Sequence, residues 1–157
     1  MEVELTAREV FHAGIEAALR VSRTVQSGRE QRYKKAAGLD WAVDAESCCS
    51  EFAVAKALNQ YPSGIISVGA PDVGTFVQVR YTERDDGHLI VHLATEGDNP
   101  EHAFVLATGH SPSFDLKGWL YGRECQLQTY WRVDMRSPCF MVPQRELRDV
   151  TLLMASP

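Results

Sequence analysis

A chain of 157 residues is long enough for one domain with a real core and too short for two comfortable ones. Apolar residues at 45% and charged residues at 24% match an ordinary globular composition, which excludes disorder as the default. No run of about 18 uncharged apolar residues exists to cross a bilayer, and a net charge of −5 argues against nucleic-acid binding by the surface as a whole. The N-terminus, MEVELTAREVFHAG, places acids where a secretory leader needs Lys or Arg, so the expected location is cytoplasmic. Cys48, Cys49, Cys125 and Cys139 lack any CxxC spacing and read as reduced thiols, not as a zinc site or disulfides.

The first predicted element is a helix from Thr6, where Thr6 and Glu9 form a capping box, to about Gln26. Phe11, Ile15, Ala18, Leu19 and Ser22 follow its apolar stripe. Arg20, Arg23, Arg29, Arg32, Lys34 and Lys35 then make a basic strip opposed by one acid, Glu30. Such a strip can grip phosphates on an otherwise acidic protein, and a solvated helix end and loop is the equal alternative. Residues 28–40 read as a loop bounded by glycines. A second helix is expected from Asp44, its N-cap, to Asn59, rich in small residues and ended by Tyr61-Pro62-Ser63-Gly64.

Strand signals follow. Ile65 to Val68 is a short apolar run. Phe76 to Thr82 alternates, with Val77, Val79 and Tyr81 on one face and Gln78, Arg80 and Thr82 on the other. Asp85-Asp86-Gly87 signals a hairpin turn into Leu89, Val91 and Leu93, which alternate with His88, Ile90 and His92. Glu96 to Glu101 reads as a polar loop. Ala103 to Thr108, Phe114 to Tyr121 and Cys139 to Val142 are further strands, and Pro143 to Arg148 begins a brief helix. Helix, helix, then a run of strands predicts an α+β domain with a mixed β-sheet flanked by helices.

Four side chains carry the chemistry of this pattern. Glu51 projects from the apolar side of a helix of small residues, where a carboxylate needs a partner, a metal ion or a route to solvent. Asp72 lies between Pro71 and Val73-Gly74, a bend where an acid is most often a turn-former. Gln78 and Arg80, two apart on one strand, share a face that alone would read as the solvent side of a sheet. Together they suit phosphodiester hydrolysis. A hard Mg²⁺ needs one or two carboxylates and oxygen donors to activate a water, and a fixed cation steadies the charge that develops. His88 and His92 share one strand face and read first as surface polarity. Trp119, Tyr121, Tyr130 and Trp131 read first as core or interface anchors, with base stacking as the alternative.

Pro71-Asp72, five intervening residues, then Gln78-Val79-Arg80 resembles the PD-(D/E)XK restriction-endonuclease-like superfamily, and SEFAVAKAL around Glu51 resembles its first core helix. The stretch from Ser50 through Pro143 is also similar to small phage-encoded proteins, on PDVG, Asp86-Gly87-His88-Leu89-Ile90-Val91, Phe104-Val105-Leu106 and Gly118-Trp119-Leu120. The resemblance covers residues 44–147 of a single domain, with the helix over 6–26 outside it. It implies a restriction-endonuclease-like core and a metal-dependent DNA nuclease using Mg²⁺ or Mn²⁺ and leaving a 5′-phosphate. It further implies DNA as partner, no membrane, a homodimer, and the host cell cytoplasm if the chain is phage-encoded. Asp72 would be the principal metal ligand, Glu51 a supporting one, Gln78 would offer its amide oxygen where the family has its second acid, and Arg80 would replace the usual lysine. Gln78 removes a charge from the ligand set, as in Mrr-like members, and an arginine stays protonated and cannot act as a base. Those departures define the alternative: a relative that binds nucleic acid or protein without cutting, such as a phage anti-defence protein. An oligomerising structural protein is the second alternative.

Overall fold

The computed structural model describes residues 1–26, 41–65, 67, 69–135 and 137–154. In chain order these form β1 (Glu2–Glu4), α1 (Ala7–Gln26), α2 (Trp41–Ala57), β2 (Val77–Thr82), β3 (Leu89–Val91), β4 (Ala103–His110), β5 (Ser113–Tyr121), α3 (Gly122–Cys125), β6 (Trp131–Arg132), β7 (Cys139–Val142) and α4 (Val150–Met154). The fold is α+β, with a mixed four-stranded sheet ordered β1-β5-β4-β2 and a three-stranded sheet ordered β3-β7-β6. Among the described residues no helix is long and apolar enough to cross a membrane.

The capping box forms as expected: the Thr6 amide donates to Glu9 Oε2 at 2.6 Å and the Glu9 amide to Thr6 Oγ1 at 3.3 Å. The buried face of α1 is not the expected one. Phe11, Ile15 and Leu19 are 65%, 45% and 45% exposed, while Ala13, Ala17 and Val21 are buried. The opposing helix decides this. α2 presents Cys48, Cys49 and Ala53, and a surface of small residues packs closest against the alanine side of its partner. α2 itself starts at Trp41, so Asp44 lies inside its first turn and not at the N-cap. It stops at Ala57 because Asn59 takes a left-handed conformation at φ 52, before the Pro-Gly segment expected to end it. The loop expected over 28–40 lies outside the described residues. So do Ile66 and Val68 of the short apolar run, whose described members Ile65 and Ser67 are not in a strand.

The turn at Asp85-Asp86-Gly87 forms, with the Gly87 amide on the Arg84 carbonyl at 3.0 Å, but it does not make a β2–β3 hairpin. β2 pairs in parallel with β4, and β3 pairs antiparallel with β7 in the other sheet. The turn is tied instead to the chain that follows β7, where the Gln144 side-chain amide donates to the carbonyls of Asp85 and Gly87 at 2.7 and 2.9 Å. β4 and β5 form a long antiparallel pair with an irregularity between Leu106 and Ala107. The expected brief helix after Pro143 is a single 3₁₀ turn, Gln144–Glu146. β1, α3, β6 and α4 carry no pattern strong enough to be read from sequence.

Three clusters form the core. Val54 and Ala55 of α2 meet Val77, Val79, Val105 and Ala107 on one face of the main sheet, with Val150 and Leu153 of α4. On the opposite face Phe104, Leu106 and Leu120 meet Leu89, Val91 and Val142 of the smaller sheet. The β2 face carrying Gln78 and Arg80 therefore lies toward the smaller sheet, with Gln78 buried and Arg80 partly exposed. Trp119 is buried against Tyr121, edge to face at 5.1 Å, which makes both core anchors. All four cysteines are free and buried.

Gly118 is the tightest joint between β5 and the C-terminal segment. Its φ is +144, and a Cβ there would lie 2.6 Å from both the Arg148 carbonyl oxygen and Leu147 Cβ. Gly118→Ala is expected to cost about 2–4 kcal/mol from backbone strain plus overpacking, read as a lowered urea midpoint at unchanged slope.

Candidate functional site

The site grows from the edge of β2. The Ala103 amide donates to the Phe76 carbonyl at 2.9 Å, so even-numbered residues of β2 bond to β4 and odd-numbered ones point their backbone groups outward. The segment before the strand folds back along that edge: the amides of Asp72 and Val73 donate to the Val77 carbonyl at 2.8 and 3.1 Å. Asp72 Oδ2 accepts the Val79 amide at 2.8 Å, capping a donor that the strand leaves open. The other carboxylate oxygen makes no hydrogen bond among the described residues. Burial raises the Asp72 pKa, against the pull of the Val79 amide, Arg80 and Arg20.

Gln78 and Arg80 meet on the covered face. The Gln78 amide nitrogen donates to the Ala70 carbonyl, and its oxygen accepts Arg80 Nη1 at 3.1 Å. Arg80 Nε reaches the Ile90 carbonyl at 3.0 Å, Nη2 reaches Asp98 Oδ1 at 2.7 Å, and the guanidinium lies 4.9 Å from the Phe104 ring centre. Asp98 is only 8% exposed, and its second oxygen takes the His92 amide at 2.7 Å. Burial works to raise the Asp98 pKa, but His92 and Arg80 outweigh it and hold the group down at about 2.

Glu51 is 4% exposed on α2, and Arg20 from α1 grips it with two hydrogen bonds, Nη1 to Oε1 at 2.6 Å and Nη2 to Oε2 at 2.5 Å. Burial pushes Glu51 up to about 7; Arg20 opposes the shift and the Asp72 charge adds to it. Gln78 and Arg80 thus meet directly and Asp72 is held beside them on the Val79 amide, whereas Glu51 is held by Arg20 and is related to Asp72 only through charge.

A cleft of about 770 Å³ opens beside Arg80, lined among others by Ser47, Thr82, His88, His92 and Asp98. Glu51 and Asp72 are not among its lining residues. Among the described residues no group of three or more His, Cys, Asp or Glu side chains is gathered to hold a metal ion.

Of the predicted basic strip, Arg20 is committed to Glu51 and Arg23 is exposed, while Arg29, Arg32, Lys34 and Lys35 lie outside the described residues. Sequence reasoning missed Asp98 and the partnership of Arg20 with Glu51. Asp98 sits in Gly-Asp-Asn-Pro, a segment with every mark of an ordinary turn, and only its burial sets it apart. No protein-family profile, curated protein or solved structure matches this chain.

Proposed function

We propose that this chain is a metal-dependent DNA nuclease with a restriction-endonuclease-like core, built on Asp72, Glu51, Gln78 and Arg80. The observation that carries the proposal is the seat of Asp72: its carboxylate is fixed on the Val79 amide between Gln78 and Arg80, with one oxygen uncommitted. A mixed sheet with α2 packed on one face, and an acid-bearing bend leading into β2, support the core assignment.

The residues offer a hard divalent cation such as Mg²⁺ or Mn²⁺ a single point, Asp72, where one carboxylate oxygen accepts no hydrogen bond among the described residues. Glu51 and Gln78 fit only on releasing Arg20 and Arg80, which now hold their oxygens. An ion bound at Asp72 supplies Lewis acidity and a water of lowered pKa. Arg80, clamped by Asp98, Gln78 and the Ile90 carbonyl, is a rigid cation placed to steady negative charge on a phosphoryl group. A phosphodiester would meet Arg80 from the cleft that it lines, with Asp72 behind the cleft lining and Arg23 a further backbone contact whose effect weakens with salt.

Incubating the protein with end-labelled single-stranded, duplex and branched DNA in Mg²⁺ or Mn²⁺ tests this reading. Cleavage is expected from the wild type and at least about a hundredfold less from Asp72→Asn, which keeps the shape and removes the charge. A second reading is favoured by the engagement of both arginines with the acidic and amide groups: a relative that binds DNA or a protein partner without cutting. DNA binding with no cleavage under either metal would establish it and end the nuclease proposal.

A further inference from the structure

We propose that the cleft beside Arg80 is a pocket for one unpaired nucleobase, so that the substrate class of this site is single-stranded nucleic acid. The inference rests on the nuclease reading for its biological sense, but the pocket itself stands on the open edge of β2. That strand ends the order β1-β5-β4-β2, so among the described residues no strand lies beyond it. Its outward backbone groups are answered as far as Val79. Val77 pairs with Val73, the Val79 amide donates to Asp72 Oδ2, and the Val79 carbonyl accepts Arg80 Nη1 at 3.3 Å. Tyr81 is the next outward residue; it lines the cleft, and its amide and carbonyl make no hydrogen bond among the described residues. In extended backbone the N–H and C=O of one residue point the same way, so the strand edge offers the cleft a donor and an acceptor side by side.

Every nucleobase carries a donor next to an acceptor on the edge it uses for pairing, and only an unpaired base has that edge free. The rest of the lining agrees with a base. Ile90 and Met141, both half-buried, supply apolar surface for the face of a ring, and a thioether is favourable against an aromatic system. His92 turns Nδ1 toward Asp98 at 3.6 Å, leaving Nε2 without a hydrogen bond among the described residues. Arg80 keeps one Nη2 hydrogen after Asp98, Gln78, Val79 and Ile90 have taken the others, enough for a phosphate oxygen of the same nucleotide. Charge favours one base over a run of phosphates. Of the arginines lining the cleft, Arg80 is paired with Asp98 and Arg84 with Asp86, and Asp44 adds a further acid. A groove that tracks a nucleic-acid backbone carries an excess of positive charge instead. The volume, about 770 Å³, lies within the roughly 300–1,000 Å³ of sites that enclose a small ligand. A duplex cannot fill such a pocket without unpairing a base first.

Fluorescence anisotropy with a labelled DNA single strand, and with the same strand annealed to its complement, tests this on the full chain in EDTA, where metal-dependent cutting does not intervene. The single strand is expected to bind at least about tenfold more tightly than the duplex, the scale of one base held on a stacking surface. Met141→Ala is expected to weaken single-strand binding about threefold. A second readout needs no variant: in amide NMR spectra of the wild type, saturation with an oligothymidylate should shift the Tyr81 resonance, because its N–H gains an acceptor. Equal or tighter binding of the duplex overturns the proposal, and so does a Tyr81 resonance unmoved at saturation. A Tyr81 shift produced by an extended β-forming peptide and not by the single strand also overturns it, since an open strand edge fits a partner strand as well. Cleavage assays on the same protein separate this inference from the nuclease reading. Single-strand binding through Tyr81 without cleavage in Mg²⁺ or Mn²⁺ removes only the nuclease, and duplex cut as readily as single strand removes only the base pocket.

Discussion

Glu51→Ala and Arg20→Ala are each expected to destabilise the fold by about 3–5 kcal/mol, because each removes one side of a mostly buried ion pair made through two hydrogen bonds. Glu51 has 6% of its side chain exposed and Arg20 has 23%, and their two hydrogen bonds join α1 to α2 beside the small apolar side chains packed between the helices. Replacing both, as Arg20→Met with Glu51→Leu, should recover most of the loss, since the pair spends much of its attraction on its own desolvation. The cycle is therefore strongly non-additive. The pH dependence has a fixed sign. Burial raises the pKa of Glu51 from 4.5 to about 7, so the folded state holds this proton more tightly than the unfolded chain does. Its contribution is full below about pH 4.5 and is lost as pH rises through about 7. Thermal melts should show the wild type less stable at pH 8 than at pH 5, and Glu51→Gln should flatten that slope. A steeper loss toward acid from this group would mean that Arg20 wins over burial and that Glu51 is ionised throughout.

The legible part of this fold was local. Thr6 and Glu9 marked the start of α1 because a capping box is closed within four residues, and Val77, Val79 and Tyr81 marked β2 because alternation is a property of the strand itself. What failed in each case was the identity of the partner. The bulk of Phe11, Ile15 and Leu19 made them the obvious buried stripe, yet the small residues of α2 select the face with Ala13 and Ala17, and no hydropathy argument about α1 alone contains that information. Likewise Asp85-Asp86-Gly87 turns the chain as its residues require, but β3 then joins β7, and both its ladder partner and the Gln144 amide that holds the turn come from more than about fifty positions away. The site divides along the same line. Asp72, Gln78 and Arg80 were legible because eight residues of bend and strand bring them together, and Glu51 because a charge on an apolar helix face has to be answered. The answer itself, Arg20, and the anchor of Arg80, Asp98, come from other elements and leave no mark in the spacing.

Asp98 is the residue on which the second large effect turns. Asp98→Ala removes the counter-charge of Arg80 and the acceptor of the His92 amide together, and is expected to cost about 3–4 kcal/mol in a urea titration. The Arg84–Asp86 pair is the control: its side chains are 73% and 77% exposed, so Asp86→Ala should leave the midpoint where it was, although the ion pair there is also made through two hydrogen bonds. Burial, not the presence of an ion pair, decides the difference. Because His92 and Arg80 hold the Asp98 pKa at about 2, below its ordinary 3.8, the stability it contributes is present above pH 3.8 and is lost as pH falls through about 2. Wild-type stability should therefore drop between pH 4 and pH 2 by more than that of Asp98→Asn, which has no such proton to take up. At neutral pH Asp98→Asn keeps the shape of the clamp while weakening it, so Arg80 loses its fixed direction before the fold is lost. If Arg80 acts on phosphate from the cleft it lines, DNA cleavage or binding should fall in Asp98→Asn at a temperature where the protein is fully folded. Asp98→Asn would then resemble Arg80→Ala in function and the wild type in secondary structure. Equal midpoints for Asp98→Ala and Asp86→Ala would show instead that water reaches the Arg80 clamp, and the rigid cation on which the phosphoryl reading depends would be gone.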